Sequence, residues 1–147
     1  MGHITVKDTI LIAASPETVW DFTQDYDRRP PWDTFVREAR VESESPRVVW
    51  IRSPSMTCRF RYKLDDRPRR TSLAIADVEP SWLIGGGGGS WVYEAEGDGT
   101  RWTSTATVAV DNRVAWWLLR PFLRWQLARS NRQAMRKAKA MIEVRPT

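Results

Sequence analysis

The sequence predicts a single α+β domain over residues 1–147, with seven antiparallel strands followed by one long C-terminal helix. Three observations carry this. Apolar and polar residues alternate with a period of two in a first strand and again, in six runs separated by short turn clusters, from Val36 to Val110. From Asn112 the apolar period becomes helical and stays so almost to the end. At 147 residues and 41% apolar content, the chain is long enough to bury a core of its own and too apolar for disorder.

The elements follow in order. In "HITVKDTILIAA", Ile4, Val6, Asp8, Ile10 and Ile12 share one face of a strand. "SPETVWDFTQD" then starts a short helix. Ser15 can cap it, Pro16 suits its first position, Glu17 favours the positive end of its dipole, and Val19, Trp20 and Phe22 pin it to the body. "YDRRPPWDTFV" is irregular, because two prolines restrict it to a turn or one helical turn. Strand patterns follow at Val36–Glu44, Arg47–Arg52, Met56–Asp65, Arg70–Glu79, Gly88–Glu96 and Thr100–Val110. "SESP", "SPS", "DDRP" and "EGDG" supply the turns between them. In "TCRFRYKL", Cys58, Phe60, Tyr62 and Leu64 share one face and Arg59, Arg61 and Lys63 the other, as in a half-buried antiparallel strand. Pro121 is expected to divide a short segment (Val114–Leu119) from a helix running to about Val144. Leu123, Leu127, Ala134, Ala138, Met141 and Ile142 fall on one face of that helix; Arg129, Arg132, Arg136 and Lys139 fall opposite, with Trp125 among them.

Five consecutive glycines, Gly85–Gly89, precede Ser90 and Trp91. A Walker loop needs Lys followed by Ser or Thr after its last glycine, and a dinucleotide loop needs a helix next. Here "SWVYEAE" alternates like a strand, so neither phosphate site is expected. A linker is not expected either, because neither half could close a core alone. The run reads as a loop leading into a strand almost without side chains, where a bulge forms or another group comes close. Gly88 and Gly89 are expected at a sharp bend, with Trp91 or Tyr93 restoring bulk to the wall.

Composition excludes several function classes. The single cysteine, Cys58, allows no internal disulfide, and with one histidine, His3, the usual zinc sets are absent. No Ser-His-Asp or Cys-His arrangement can be built, and no metal or cofactor is expected. The N-terminus lacks an apolar signal region, and the longest apolar run, Val114–Leu119, is too short to cross a bilayer. A cytoplasmic location is therefore expected. From Asn112 onward there are nine basic residues and one acid, against 14 basic and 17 acidic before it, so the positive excess sits on the final segment. The nine tryptophans suit cavity walls and wet interfaces as well as a core.

The order of these elements resembles the helix-grip fold of the START-like (SRPBCC) superfamily, and specifically its polyketide cyclase/dehydrase and lipid-transport branch. The likeness rests on "SPETVWDFTQD", Trp32-Asp33, "GGGGSWVYE", "GTRWT" and "LRPFLRWQLARSNRQAMRKAKAMIE", and covers essentially the whole chain. It implies a β-α-α-β6-α order, with a strongly curved seven-stranded sheet wrapped round the last helix. It also implies an internal cavity for a hydrophobic or aromatic small molecule or lipid, held for carriage or sensing. A cofactor-free cyclase or dehydratase using the same cavity is the alternative, with Asp77 and Tyr62 as candidate acid/base groups.

The residues expected to line the cavity come from several elements. Trp50, Arg52, Phe60, Tyr62, Ile75, Trp91 and Tyr93 lie on strands, with Arg52 a candidate carboxylate anchor. Trp117, Leu118 and Phe122, with Trp116, form an expected lid beside Pro30–Trp32 and Trp82. On the helix, Leu127 is apolar while Arg124 borders the inner face and Asn131 projects into it. Asn131 therefore either hydrogen-bonds a backbone group of the sheet or meets a polar ligand head. The outer stripe of Trp125, Arg129, Arg132 and Arg136 is either a solvated face or, as a third reading of the function, an interaction module for anionic lipid headgroups or RNA. Of these two, nucleic acid is the less expected, since no recognised RNA motif is present.

Overall fold

A computed structural model describes residues 2–144. β1 (Gly2–Ile12) leads to α1 (Pro16–Thr23), where the Ser15 hydroxyl accepts from the Thr18 amide as the cap. In place of the second small helix, the chain makes a single 3-10 turn over Tyr26–Arg28, because Pro30 and Pro31 follow at once. The remaining strands are β2 (Glu38–Glu44), β3 (Arg47–Arg52), β4 (Thr57–Asp66), β5 (Arg70–Glu79), β6 (Ile84–Glu96) and β7 (Gly99–Val110). Among the described residues these form one antiparallel sheet in the order β1-β7-β6-β5-β4-β3-β2. Register shifts in the β2–β3, β4–β5 and β6–β7 pairings mark where the ladder is irregular and the sheet can curl. The result is the helix-grip fold, an α+β architecture in which the curled sheet packs on the C-terminal helix.

That helix, α2 (Arg113–Val144), is continuous through Pro121, contrary to the expected division. A proline removes the amide that would bond the carbonyl four residues earlier, here that of Trp117. Both Pro121 and Trp117 are exposed, so the loss falls on the solvent side of the helix. Ala134, Met135, Ala138 and Ile142 are buried against Trp20, Trp32, Tyr93 and Trp102, and the two alanines bring the helix end close to the sheet. Met141 lies outside this face and is exposed.

The glycine run is strand throughout. Gly86–Gly89 lie in β6 and pair with β7, while Gly87–Gly89 also pair with β5. The irregularity lies between Ile84 and Gly86 rather than at Gly88–Gly89. Cross-strand partners share a face, so Tyr62, Leu73, Gly89 and Ala106 form one inward row, and Phe60, Ile75, Gly87 and Val108 the next. Gly87 has φ 152°, and an added Cβ would overlap the Thr107 carbonyl oxygen. Gly87→Ala is therefore expected to lower stability by about 2 kcal/mol, read as a reduced urea midpoint with an unchanged slope.

Candidate functional site

A cavity of about 130 Å³ lies between the concave face of the sheet, α2 at Leu127–Met135 and the irregular segment 29–35. Its wall is largely apolar or aromatic, and its space exists because Gly89 and Ala106 put almost nothing into the middle of the inward face.

The irregular segment contributes the charge. Arg29 is only 2% exposed. Its guanidinium carbon lies 4.0 Å from the centre of the Tyr26 ring and 4.5 Å from that of Trp91, a cation held between two aromatic faces. Its Nε donates to the Thr23 carbonyl at 2.9 Å, and Nη1 stands 3.7 Å from Asp33 Oδ2. Asp33 in turn accepts from the Phe35 amide at 3.0 Å through Oδ1 and so fixes the turn. Burial raises the Asp33 carboxyl above its ordinary range, against the opposing pull of Arg29 and the Phe35 and Val36 amides. Burial likewise works against the Arg29 charge, but the Asp33 carboxylate and the faces of Tyr26 and Trp91 hold the guanidinium, which stays protonated.

Behind this pair runs a buried hydroxyl network. Tyr26 and Tyr62 share a short hydrogen bond. Tyr62 donates to Gln24 Oε1 at 3.2 Å, Gln24 Nε2 donates to the Tyr93 hydroxyl at 3.0 Å, and the Tyr93 and Thr23 hydroxyls are 2.8 Å apart. Arg47 closes it by donating to Gln24 Oε1 and to the Gln24 carbonyl. Burial pushes both Tyr26 and Tyr93 above the usual phenol range, so these hydroxyls are neutral positioning groups at neutral pH. Cys58, also buried, is pushed up to about 12 and is a small apolar residue of the core rather than a nucleophile.

On the helix side, the Ser104 hydroxyl donates to Asn131 Oδ1 at 2.8 Å. The sheet side chain is thus one partner of Asn131, while its Nδ2 is buried without a partner among the described residues. The same holds for the indole nitrogens of Trp32 and Trp102, which stand edge to face with centroids 6.0 Å apart. All three residues line the cavity. The unsatisfied polar atoms on its wall are therefore N–H donors.

Trp32, Phe60, Tyr62, Ile75, Trp91, Leu127 and Asn131 are brought together on this wall. The other expected wall residues lie elsewhere, for identifiable reasons. Trp50 points outward beneath Arg40, since Val49 and Ile51 take the inward positions of β3. Arg52 is on the same outer face, paired with Glu38. Asp77 is turned out by the register shift in the β4–β5 pairing; at φ 53° it meets Arg61 and Arg59 in solvent, and Val78 takes the buried place. Hydrogen bonding to Arg61 and Arg59 lowers its carboxyl, the opposite of what a general acid needs. Tyr93 is buried in the core behind the wall. Arg124 reaches over the edge of the sheet to the Thr5 carbonyl. The expected lid does not exist, because Trp82, Trp117, Leu118 and Phe122 are exposed and Trp116 packs on Gly2. Arg29 and Asp33 carry the charge of the site, and no sequence pattern marked Arg29. An arginine inside a proline-rich aromatic stretch, with an acid four residues on, is the signal that was available.

A curled sheet gripping a helix over an apolar cavity is the architecture of a small-molecule-binding fold. The chain belongs to the polyketide cyclase/dehydrase and lipid transport family, whose profile matches residues 3–143. Its fold is shared with a START superfamily protein from Mycobacterium smegmatis (TM-score 0.79, 14% identity, covering 97% of this chain and 98% of that one). It is also shared with the Zhui aromatase/cyclase from Streptomyces sp. R1128 (TM-score 0.76, 16% identity, 96% and 94%). TTHA0849 from Thermus thermophilus is similar as well (TM-score 0.76, 19% identity, 94% and 96%). At these identities the likeness is one of fold. No curated protein matches the sequence.

Proposed function

We propose that the protein binds a hydrophobic, ring-containing small molecule in this cavity, and that the ligand's oxygen-bearing end sits against Arg29. The observation that carries the reading is the composition of the wall. It is mostly apolar or aromatic, and its polar groups are a buried guanidinium beside Asp33, several hydroxyls, and the unpaired N–H groups of Trp32, Trp102 and Asn131. An unpaired buried donor costs roughly 1–3 kcal/mol, and a carboxylate or carbonyl oxygen would relieve it. Carriage or sensing needs nothing further from the chain.

Naphthoate, methyl naphthoate and naphthalene test this directly. Saturable binding, read by quenching of tryptophan fluorescence, is expected in that order of decreasing affinity, with a matching order of rise in melting temperature. Absence of saturable binding by all three would overturn the reading. A cyclase or dehydratase reading draws on Asp33, whose raised carboxyl faces Arg29 at the cavity, and on the name of the Zhui relative. Recovery of a bound polyketone chemically unchanged would count against it; loss of water from that polyketone would support it.

A further inference from the structure

The first four turns of α2 carry two apolar faces. Trp116, Leu123 and Leu127 pack with Ile4, Val108 and Val110 on the sheet. On the far side Val114, Trp117, Leu118, Phe122 and Trp125 are 55–74% exposed. At about 100° per residue these five and Pro121 fall within an arc of roughly 140°, a stripe about 18 Å long. Scattered exposed apolar residues need no explanation, but a continuous stripe rich in tryptophan and phenylalanine does.

The charge around the stripe says what covers it. Arg113, Arg120 and Arg124 run along one border. Arg129, which lies 5.3 Å from the Trp125 ring, and Arg132 and Arg136 continue the stripe towards the C-terminus. The helix has no acidic residue before Glu143. A second copy of this chain is a poor partner, since a two-fold pairing of like stripes would bring arginines onto arginines. Nucleic acid would match the arginines and leave Val114, Leu118 and Phe122 without a partner. An anionic lipid surface matches both: aromatic and apolar side chains enter the headgroup boundary while arginines meet phosphates. No helix among the described residues is long and apolar enough to cross a membrane, so the contact is one of lying on the surface.

We propose that the outward face of Val114–Trp125, with its flanking arginines, docks the protein on anionic membranes. This stripe does not line the cavity, so the proposal stands apart from the ligand reading. Co-sedimentation with vesicles of phosphatidylcholine alone, and of phosphatidylcholine mixed equally with phosphatidylglycerol, tests it. Wild type is expected to bind the mixed vesicles at least ~10-fold more tightly, and to weaken as salt rises. Trp117→Ser/Phe122→Ser should lose at least ~10-fold at every salt concentration, and Arg129→Glu/Arg136→Glu a similar factor at low salt only. A urea midpoint and slope like those of wild type serve as the folding control for both variants. Failure of wild type to sediment with mixed vesicles, or equal sedimentation of all three proteins, would overturn the proposal. A dimer in sedimentation velocity that Trp117→Ser/Phe122→Ser dissolves, without vesicle binding, would assign the face to a second copy. Retention of RNA without vesicle binding would assign it to nucleic acid.

Discussion

Gly89→Leu is expected to fold normally and to lose naphthoate binding altogether. A Cβ at Gly89 meets only the Thr105 carbonyl oxygen within 4 Å, at an ordinary 3.5 Å, and its backbone does not need a positive φ. The side chain would therefore project into the space that the inward row leaves open between Leu73 and Ala106. Filling an apolar void returns transfer and dispersion energy, so stability should rise by about 1 kcal/mol while the cavity disappears. Gly87→Ala, two residues away on the same face, should do the reverse for stability, because there the obstacle is the Thr107 backbone. Tryptophan quenching and a urea titration of each variant distinguish the two positions. Undiminished naphthoate binding by a folded Gly89→Leu protein would show that the ligand sits elsewhere.

Arg29→Met should separate charge recognition from hydrophobic binding. Naphthoate affinity is expected to fall roughly 100-fold, the scale of a charge-assisted hydrogen bond in a desolvated site, while naphthalene changes less than about 3-fold. The variant also strips Asp33 of its ion pair and the Thr23 carbonyl of a donor. Breaking a buried pair typically costs about 3–5 kcal/mol. Arg29→Met/Asp33→Asn removes both charges and keeps the measurement readable if the single variant is too unstable. Its naphthoate affinity should be equally low. Equal losses for naphthoate and naphthalene would make Arg29 a purely structural cation.

Periodicity made the sheet and the long helix readable, and the residues that follow the glycine run were enough to exclude a phosphate site. The orientation of particular side chains was readable only while the ladder stayed regular. β5 alternates correctly through Ile75, then shifts register, and Asp77 passes from the inferred inside to the outside. Trp50 is among the expected wall residues, yet parity assigns the inward places of β3 to Val49 and Ile51. Trp117, Leu118 and Phe122 are expected as a lid at the Pro121 end of the helix, yet nothing in a helical period says which of two apolar faces meets the sheet. Arg29 lay outside any period, in a segment shaped by Pro30, Pro31 and the Asp33 turn, and only tertiary structure puts it between Tyr26 and Trp91.

The strand order has a consequence for how the molecule comes to exist. β1 and β2 are the first two strands of the chain, yet they stand at opposite edges of the sheet. β1 finds its partner only when Ile4 meets Val108, across almost the whole length of the sheet-forming chain. Such distant pairing delays closure and slows folding relative to a meander of neighbours. The helix that completes the cavity follows that last strand. During synthesis the concave face must therefore wait, wet and open, until the final third of the chain has emerged, and a ligand already present could be enclosed as the helix comes down.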